Sequence, residues 1–446
     1  MSPFTTLLGV VGLGALALWQ VTVDTTSKLQ KIDGFGFSQA FRHAKEFQNA
    51  PTALQKGALD LLFSPTEGAG FSIIRNRIGS GGKGDSILPT SPGSPAGKPT
   101  YTWDNDDSGQ VWFTKQAVSY GVNKIYTDAW NAPEFMKTSD TYAAQPAIPA
   151  PLAIGDKPMP TSLCSFLNEP DFSPGYSQMQ ISFNAQEAIS FIPTLSKSVQ
   201  SAGLKTAVTC CDAVGWASTV KYTNALVAAG MGSYLGLITS HTYSGDANTA
   251  LNTELSSWVT ESGITTAFDL TWFKHGGVTE GMTWANKIAV GIINASLSAY
   301  LYWEGFQLKQ LQYDSNFVDT QDGKTAMPSA NFWAFTMWSR HIRPGAQRLQ
   351  TSGMVASDVL TAAVKDKDGS IVIIFTNNGS AAKAANVSLK GSTPKAASAW
   401  VTDNSHKPAS TTASISGSGV SVAVPSKGVV TVKLTWWSHG DVTIRT

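Results

Sequence analysis

"LCSFLNEPDF", residues 163–172, sets an apolar run, Leu163 to Leu167, directly against Asn168, Glu169 and Pro170. A short run with little polar interruption, stopped by Pro, is what a strand buried on both faces of a parallel sheet looks like. A carboxylate at the end of such a strand is expensive to bury. Glu169 therefore needs both a purpose and a partner.

Seven further runs share this form: "DGFGFS" (33–38), "FSIIRNRIG" (71–79), "VNKIYTDAW" (122–130), "KTAVTCCD" (205–212), "LGLITSHTY" (235–243), "SSWVTES" (256–262) and "AYLYWEG" (299–305). Helical patterns at 51–63, 111–121, 182–203, 217–230, 281–296 and 328–342 separate most of them; Ile189, Ile192, Leu195 and Val199 fall on one helical face. Eight strands with intervening helices over residues 31–344 predict a (β/α)8 TIM barrel. One unit is irregular: 139–162 is rich in Pro and lacks helical periodicity, so a third crossover helix is not expected there.

After Arg343-Pro344 the pattern changes to short alternating runs, "SIVIIFTNN", "NVSLKG", "SAWVTD", "GVSVAVP" and "GVVTVKLTW", divided by Gly, Ser, Asn and Pro. Residues 345–436 thus read as an antiparallel β-sandwich side domain. "WQVTVD" (19–24), within a leading segment 18–30, is expected to add a strand to it. Residues 437–446 form a tail with no evident role.

Composition excludes some partners. Lys+Arg 32 against Asp+Glu 31 gives +1, so there is no basic field for nucleic acid. Residues 1–17 carry an uncharged apolar run ending Ala15-Leu16-Ala17, the form of a secretory signal and too short to span a membrane. Sequons at Asn294, Asn378 and Asn386 agree with an extracellular destination. Cys164, Cys210 and Cys211 allow at most one internal disulfide and supply too few ligands for a metal. No cofactor, no metal and a monomeric state are expected.

In such a barrel, reacting groups come from the C-terminal strand ends. Those ends offer Trp130 and Asn131, then Asn168 and Glu169, His241 and Tyr243, Glu261, and Trp303 with Glu304. Two carboxylates across one mouth suit retaining glycoside hydrolysis, with Glu169 as proton donor and Glu261 as nucleophile. Asn168 is expected on a sugar hydroxyl, and His241 either orients Glu261 or meets substrate. Glu304 reads better as a support for loop backbone.

The chain resembles glycoside hydrolase family 30, and most closely its fungal xylanase-type members. The likeness rests on "IDGFGFSQAF" (32–41), "PTSPGSPAGKPTYTWDNDDSGQ" (89–110), "AWNAPEFMKT" (129–138), "FLNEPDFSP" (166–174), "TCCDAVGW" (209–216), "SHTY" (240–243) and "GMTWANKIAVGIINASLSAYLYWEG" (281–305). The resemblance implies a side domain built from both termini, Glu169 as acid/base, Glu261 as nucleophile, and β-1,4-xylan, often glucuronoxylan, as substrate. Bacterial members read the uronic acid with an arginine after the eighth strand. "FQLKQLQYDSN" contains none, which leaves Arg42 or His43 on the first loop as the carboxylate binder. Trp130, Asn131, Asn168, His241, Tyr243, Trp303 and Arg42 make up the expected substrate-binding set. Alternatives are a β-1,6-galactanase, β-1,6-glucanase or glucosylceramidase of the same family, or an inactive carbohydrate-binding protein.

Overall fold

The computed structural model describes residues 20–79, 86–94, 96–133, 135, 162–173, 178–264, 268–308 and 316–436. Eight parallel strands close a barrel: β2 (Gly34–Ser38), β3 (Ile73–Ile78), β4 (Lys124–Ala129), β5 (Ser162–Ser165), β6 (Ala207–Ala213), β7 (Leu237–His241), β8 (Ser257–Glu261) and β9 (Ala299–Trp303). Each of the eight expected runs supplies one. Helices α1 (His43–Gln48), α2 (Thr52–Phe63), α3 (Gln110–Ser119), α4 (Gln186–Ser201), α5 (Trp216–Ala228), α6 (Gly281–Ile293) and α7 (Ala330–Ser339) occupy the connections. The expected lack of a helix in 139–162 falls almost wholly outside the described residues. A different connection has no helix: residues 242–256, joining β7 to β8, run as bends and irregular backbone. A short ribbon, β10 (Val318–Asp319) with β11 (Met327–Pro328), precedes α7.

Period-two alternation along the strands sorts the barrel interior into layers. Ile73, Tyr126, Leu163, Leu237, Trp258, Ala299 and Leu301 fill the lower layers with one apolar plug. Below it the Trp258 indole N–H donates to Asp33 at 3.1 Å, and Lys124 pairs with Asp33. Two residues further along the strands the inward positions turn polar: Arg75 follows Ile73, Asp128 follows Tyr126, Thr239 and His241 follow Leu237, and Thr260 follows Trp258. The apolar floor closes one end, so the polar set can gather only at the other.

Gly36 is required where the barrel closes. A Cβ there would sit 1.9 Å from the Ile73 carbonyl oxygen, a backbone atom that cannot move aside.

The second unit is a ten-stranded sheet: β1 (Val21–Ile32), β12 (Ala346–Gly353), β13 (Val359–Lys365), β14 (Ile371–Asn377), β15 (Lys383–Lys390), β16 (Ala396–Thr402), β17 (Ala409–Thr411), β18 (Ala413–Ser416), β19 (Gly419–Val424) and β20 (Gly428–Thr435). Their order is β17-β16-β20-β14-β13-β12-β1-β15-β19-β18. The sheet doubles over, so Val387, Val420 and Val422 from one half meet Ile373, Phe375, Val430 and Leu434 from the other in one core. β1 lies in the middle, antiparallel to β12 and parallel to β15. The side domain is the expected antiparallel sandwich, with the β1–β15 pair as its one parallel pairing among the described residues.

The sandwich's other face covers the barrel helices. Ala362, Val364, Val372, Ile374 and Val429 share a core with Ile288, Ile292 and Phe335. Burying each such aliphatic or aromatic side chain contributes about 1.5–3 kcal/mol. At this seam His341 stacks on Trp400 with ring centroids 4.1 Å apart. Among the described residues no helix is long and apolar enough to cross a membrane.

Candidate active site

Glu261 ends β8, with its carboxylate held from two sides. One oxygen takes the Arg75 guanidinium; the other accepts the Tyr243 hydroxyl at 2.9 Å. Arg75 also donates to Asp128 at 2.6 Å and to the Asn168 side-chain oxygen at 2.8 Å, and lies 4.4 Å from the centre of the Trp130 ring. Burial disfavours the Arg75 charge, but Glu261, Asp128 and Asp212 outweigh it and hold the guanidinium firmly cationic.

Glu169 is not on a strand. β5 stops at Ser165, four residues earlier, which corrects the expectation that the fourth strand runs on to the acid. Its backbone is left-handed, φ 45°, in a loop pinned by two bonds. The Glu169 N–H donates to the Asp212 carbonyl at 2.8 Å, and the Glu169 carbonyl accepts from the Gln178 side chain at 2.9 Å. Pro170, which has no N–H to give a ladder, keeps the chain from rejoining the sheet after Glu169.

His241 lies between the two acids, fully buried. Its Nδ1 is 3.0 Å from Glu169 and 3.8 Å from Glu261, and its Nε2 is 3.6 Å from Asp212. Burial would lower its pKa, but the charge of Glu261 and the bonds to Asp212 and Glu169 push it up to about 10. The imidazole is therefore a cation at neutral pH. With no surface exposed, it lies where the first of its two expected roles, orienting Glu261, would place it. Burial, followed by the charges of Glu261 and Glu169, pushes the Tyr243 phenol well up, so it remains a donor.

The other expected residues lie around these. Trp130 and Trp303 form an aromatic trio with Phe41: Phe41 is 5.2 Å from Trp130 and 5.7 Å from Trp303, and the two indoles are 6.0 Å apart. Phe41, 38% exposed, belongs to this group although its position drew no attention in the sequence. Asn131 follows Trp130 and is nearly buried. Asn168 is buried, accepting from Arg75 and donating to Gln178 at 2.9 Å. Arg42 stands exposed just before α1. His43 beside it pairs with the buried Glu304.

Arg75, Tyr126, Asp128 and Asp212 were missed. Arg75, Tyr126 and Asp128 lie inside runs read as apolar strand, "FSIIRNRIG" and "VNKIYTDAW", and Asp212 closes a third, "KTAVTCCD". A charge in the middle of a β-branched run is itself a signal, since burial makes it costly unless it is paired.

Glu169, His241 and Glu261 bring one potential ligand atom each within 4.8 Å of one another. A metal binds neutral imidazole, whereas His241 is held protonated between carboxylates. The set suits proton and charge handling better than a cation. Two carboxylates at the C-terminal mouth of a parallel barrel, one held by an arginine and a tyrosine, define a glycosidase-type site.

The family model for the glycosyl hydrolase family 30 beta sandwich domain matches residues 345–432. The catalytic domain of a family 30 xylanase C from Talaromyces cellulolyticus is 39% identical, with 93% of this chain and 99% of that one covered and a TM-score of 0.85. A subfamily 8 xylanase of family 30 from Clostridium acetobutylicum shares the fold at 19% identity, 93% and 99% coverage and a TM-score of 0.68. An endo-β-1,6-glucanase shares it at 18% identity, 94% coverage of each chain and a TM-score of 0.72. The chain belongs to glycoside hydrolase family 30 and is a glycosidase.

Proposed function

We propose that this chain is a secreted, retaining β-1,4-xylanase acting on glucuronoxylan. The observation that carries the reading is the acid pair: carboxylate oxygens of Glu169 and Glu261 lie within 4.8 Å. Retaining enzymes keep their carboxyls roughly 5–5.5 Å apart, whereas inverting ones need roughly 6.5–9.5 Å to admit a water. Glu261, fixed by Arg75 and Tyr243, attacks the anomeric carbon while Glu169 protonates the departing glycosidic oxygen. The bond to that oxygen breaks and a glycosyl ester of Glu261 forms. Glu169 then takes a proton from water, which attacks the same carbon, frees Glu261 and restores the original configuration. Phe41, Trp130 and Trp303 offer ring edges and faces to the sugar.

The 39%-identical xylanase supports xylan as the substrate class. The apolar leader supports secretion, and Asn294, exposed at the end of α6, is the sequon best placed to carry a glycan. Exposed Arg42 on the first loop supports uronate recognition.

Hydrolysis of glucuronoxylan followed by proton NMR should release the β anomer first, with β-1,6-glucan and β-1,6-galactan left intact. Glu261→Gln should stop turnover while xylo-oligosaccharide binding persists. An α anomer appearing first, or an active Glu261→Gln protein, overturns the mechanism. Arg42→Ala should lose more activity on glucuronoxylan than on arabinoxylan; equal loss on both would remove the uronate reading.

A further inference from the structure

Asp212 lies beneath the site and meets it only through Glu169 and His241 among the groups described above. It is fully buried and left-handed, φ 52°, directly after the Cys210–Cys211 disulfide. Its carboxylate accepts the Tyr126 phenol at 2.5 Å, the Thr239 hydroxyl at 2.8 Å and the Thr260 hydroxyl, and faces His241 Nε2 at 3.6 Å. Its carbonyl accepts the Glu169 N–H at 2.8 Å. Donors from β4, β7 and β8 thus converge on one residue of β6, which also anchors the loop carrying the acid. Burying an ion costs several kcal/mol even after relaxation, and a floor made for packing alone has no need of one.

We propose that Asp212 is a positioning residue for the reaction, fixing the backbone of Glu169 through its carbonyl and holding the His241 imidazolium between the two acids through its carboxylate. This rests on the reading of Glu169 and Glu261 as the reacting pair.

The groups facing His241 set the sign. Arg75 on β3 lies 3.5 Å from its Nε2, and Asp128 and Tyr126 stand behind on β4. Glu169, Glu261, Asp212 and the Tyr243 ring, 6.0 Å away, complete the surroundings. Among the contributions that raise His241, the bond to Asp212 stands second after the charge of Glu261, and burial opposes them all. Without the Asp212 charge the imidazolium loses its proton at lower pH. The acids then face a neutral ring.

The test is Asp212→Asn, close in shape but uncharged, read in two ways. NMR of the isotopically labelled His241 ring should show it titrating lower than in wild type by roughly one pH unit or more. On glucuronoxylan, kcat should fall about 100-fold or more with KM little changed, and the basic limb of the pH–rate profile should move to lower pH. Asp212→Ser, which also removes the charge, should move ring and limb the same way and decides the matter if Asp212→Asn does not fold, whereas Tyr126→Phe, which removes one donor and keeps the charge, should lower neither. An unshifted His241 titration, or a pH profile merely scaled down, overturns the proposal. The NMR arm needs no turnover, so an inactive wild type with a shifted ring would defeat the xylanase reading and leave the placement of His241 standing.

Discussion

Replacing Arg75 by Met tests whether the mouth is held by charge or by shape. Met approximates the apolar stem of Arg75 and removes the guanidinium, leaving Glu261 and Asp128 buried without their nearest cation. Removing one partner of a buried ion pair costs about 3–5 kcal/mol, because the remaining charge is uncompensated. At roughly 2 °C per kcal/mol, the lower end of the range for large domains, Tm should fall by about 6–10 °C. Glu261 would also lose its Arg75 donor while keeping Tyr243, and losing one such electrostatic contact costs about 10²–10³ in kcat. Scanning calorimetry and initial rates on glucuronoxylan measure the two effects. Arg75→Lys should fall between, since a single ammonium cannot reach Glu261, Asp128 and Asn168 together. A Met protein melting within about 2 °C of wild type and turning over within about threefold would refute the reasoning.

Two further outcomes follow from the fold. Gly36→Ala should give no soluble folded protein, because its Cβ would meet the Ile73 carbonyl at 1.9 Å; recovery of a cooperatively melting Ala variant would contradict the description of β2 and β3. Burial, with Arg340 and Lys433 adding to it, lowers His341 to about 3 against an ordinary 6.5. Between those values the unfolded chain binds a proton that the folded one refuses, so stability falls as pH drops from about 6.5 toward 3. His341→Phe should flatten that part of the Tm–pH curve, and an unchanged slope would mean that other groups govern it.

The strands were legible because parallel barrel strands need continuous apolar runs, and all eight runs supplied one. Their ends located Glu261, His241, Tyr243 and Trp303 for the same reason. Glu169 was found by its neighbours in "FLNEPDF", but its support was not, since a loop pinned to the Asp212 carbonyl leaves no periodic trace. Arg75 and Asp128 stayed hidden because attention to strand ends passes over charges inside strands, while Asp212 closes "KTAVTCCD", a strand end from which no site residue was drawn. The bare β7–β8 connection has no signature beyond missing periodicity, and strand direction is not encoded in alternation, so the parallel β1–β15 pair was invisible.

That pair governs the order in which the molecule can be assembled during synthesis. Val21 pairs with Val387, 366 residues later (387 − 21), so the first strand leaves the ribosome long before its neighbour exists. At about 5–20 residues per second the wait is roughly 18–73 s. Throughout it β1 is an exposed edge with Val21 and Val23 ready to add to any other strand. The barrel residues emerge within that interval, and the side domain is completed only by the last strands made.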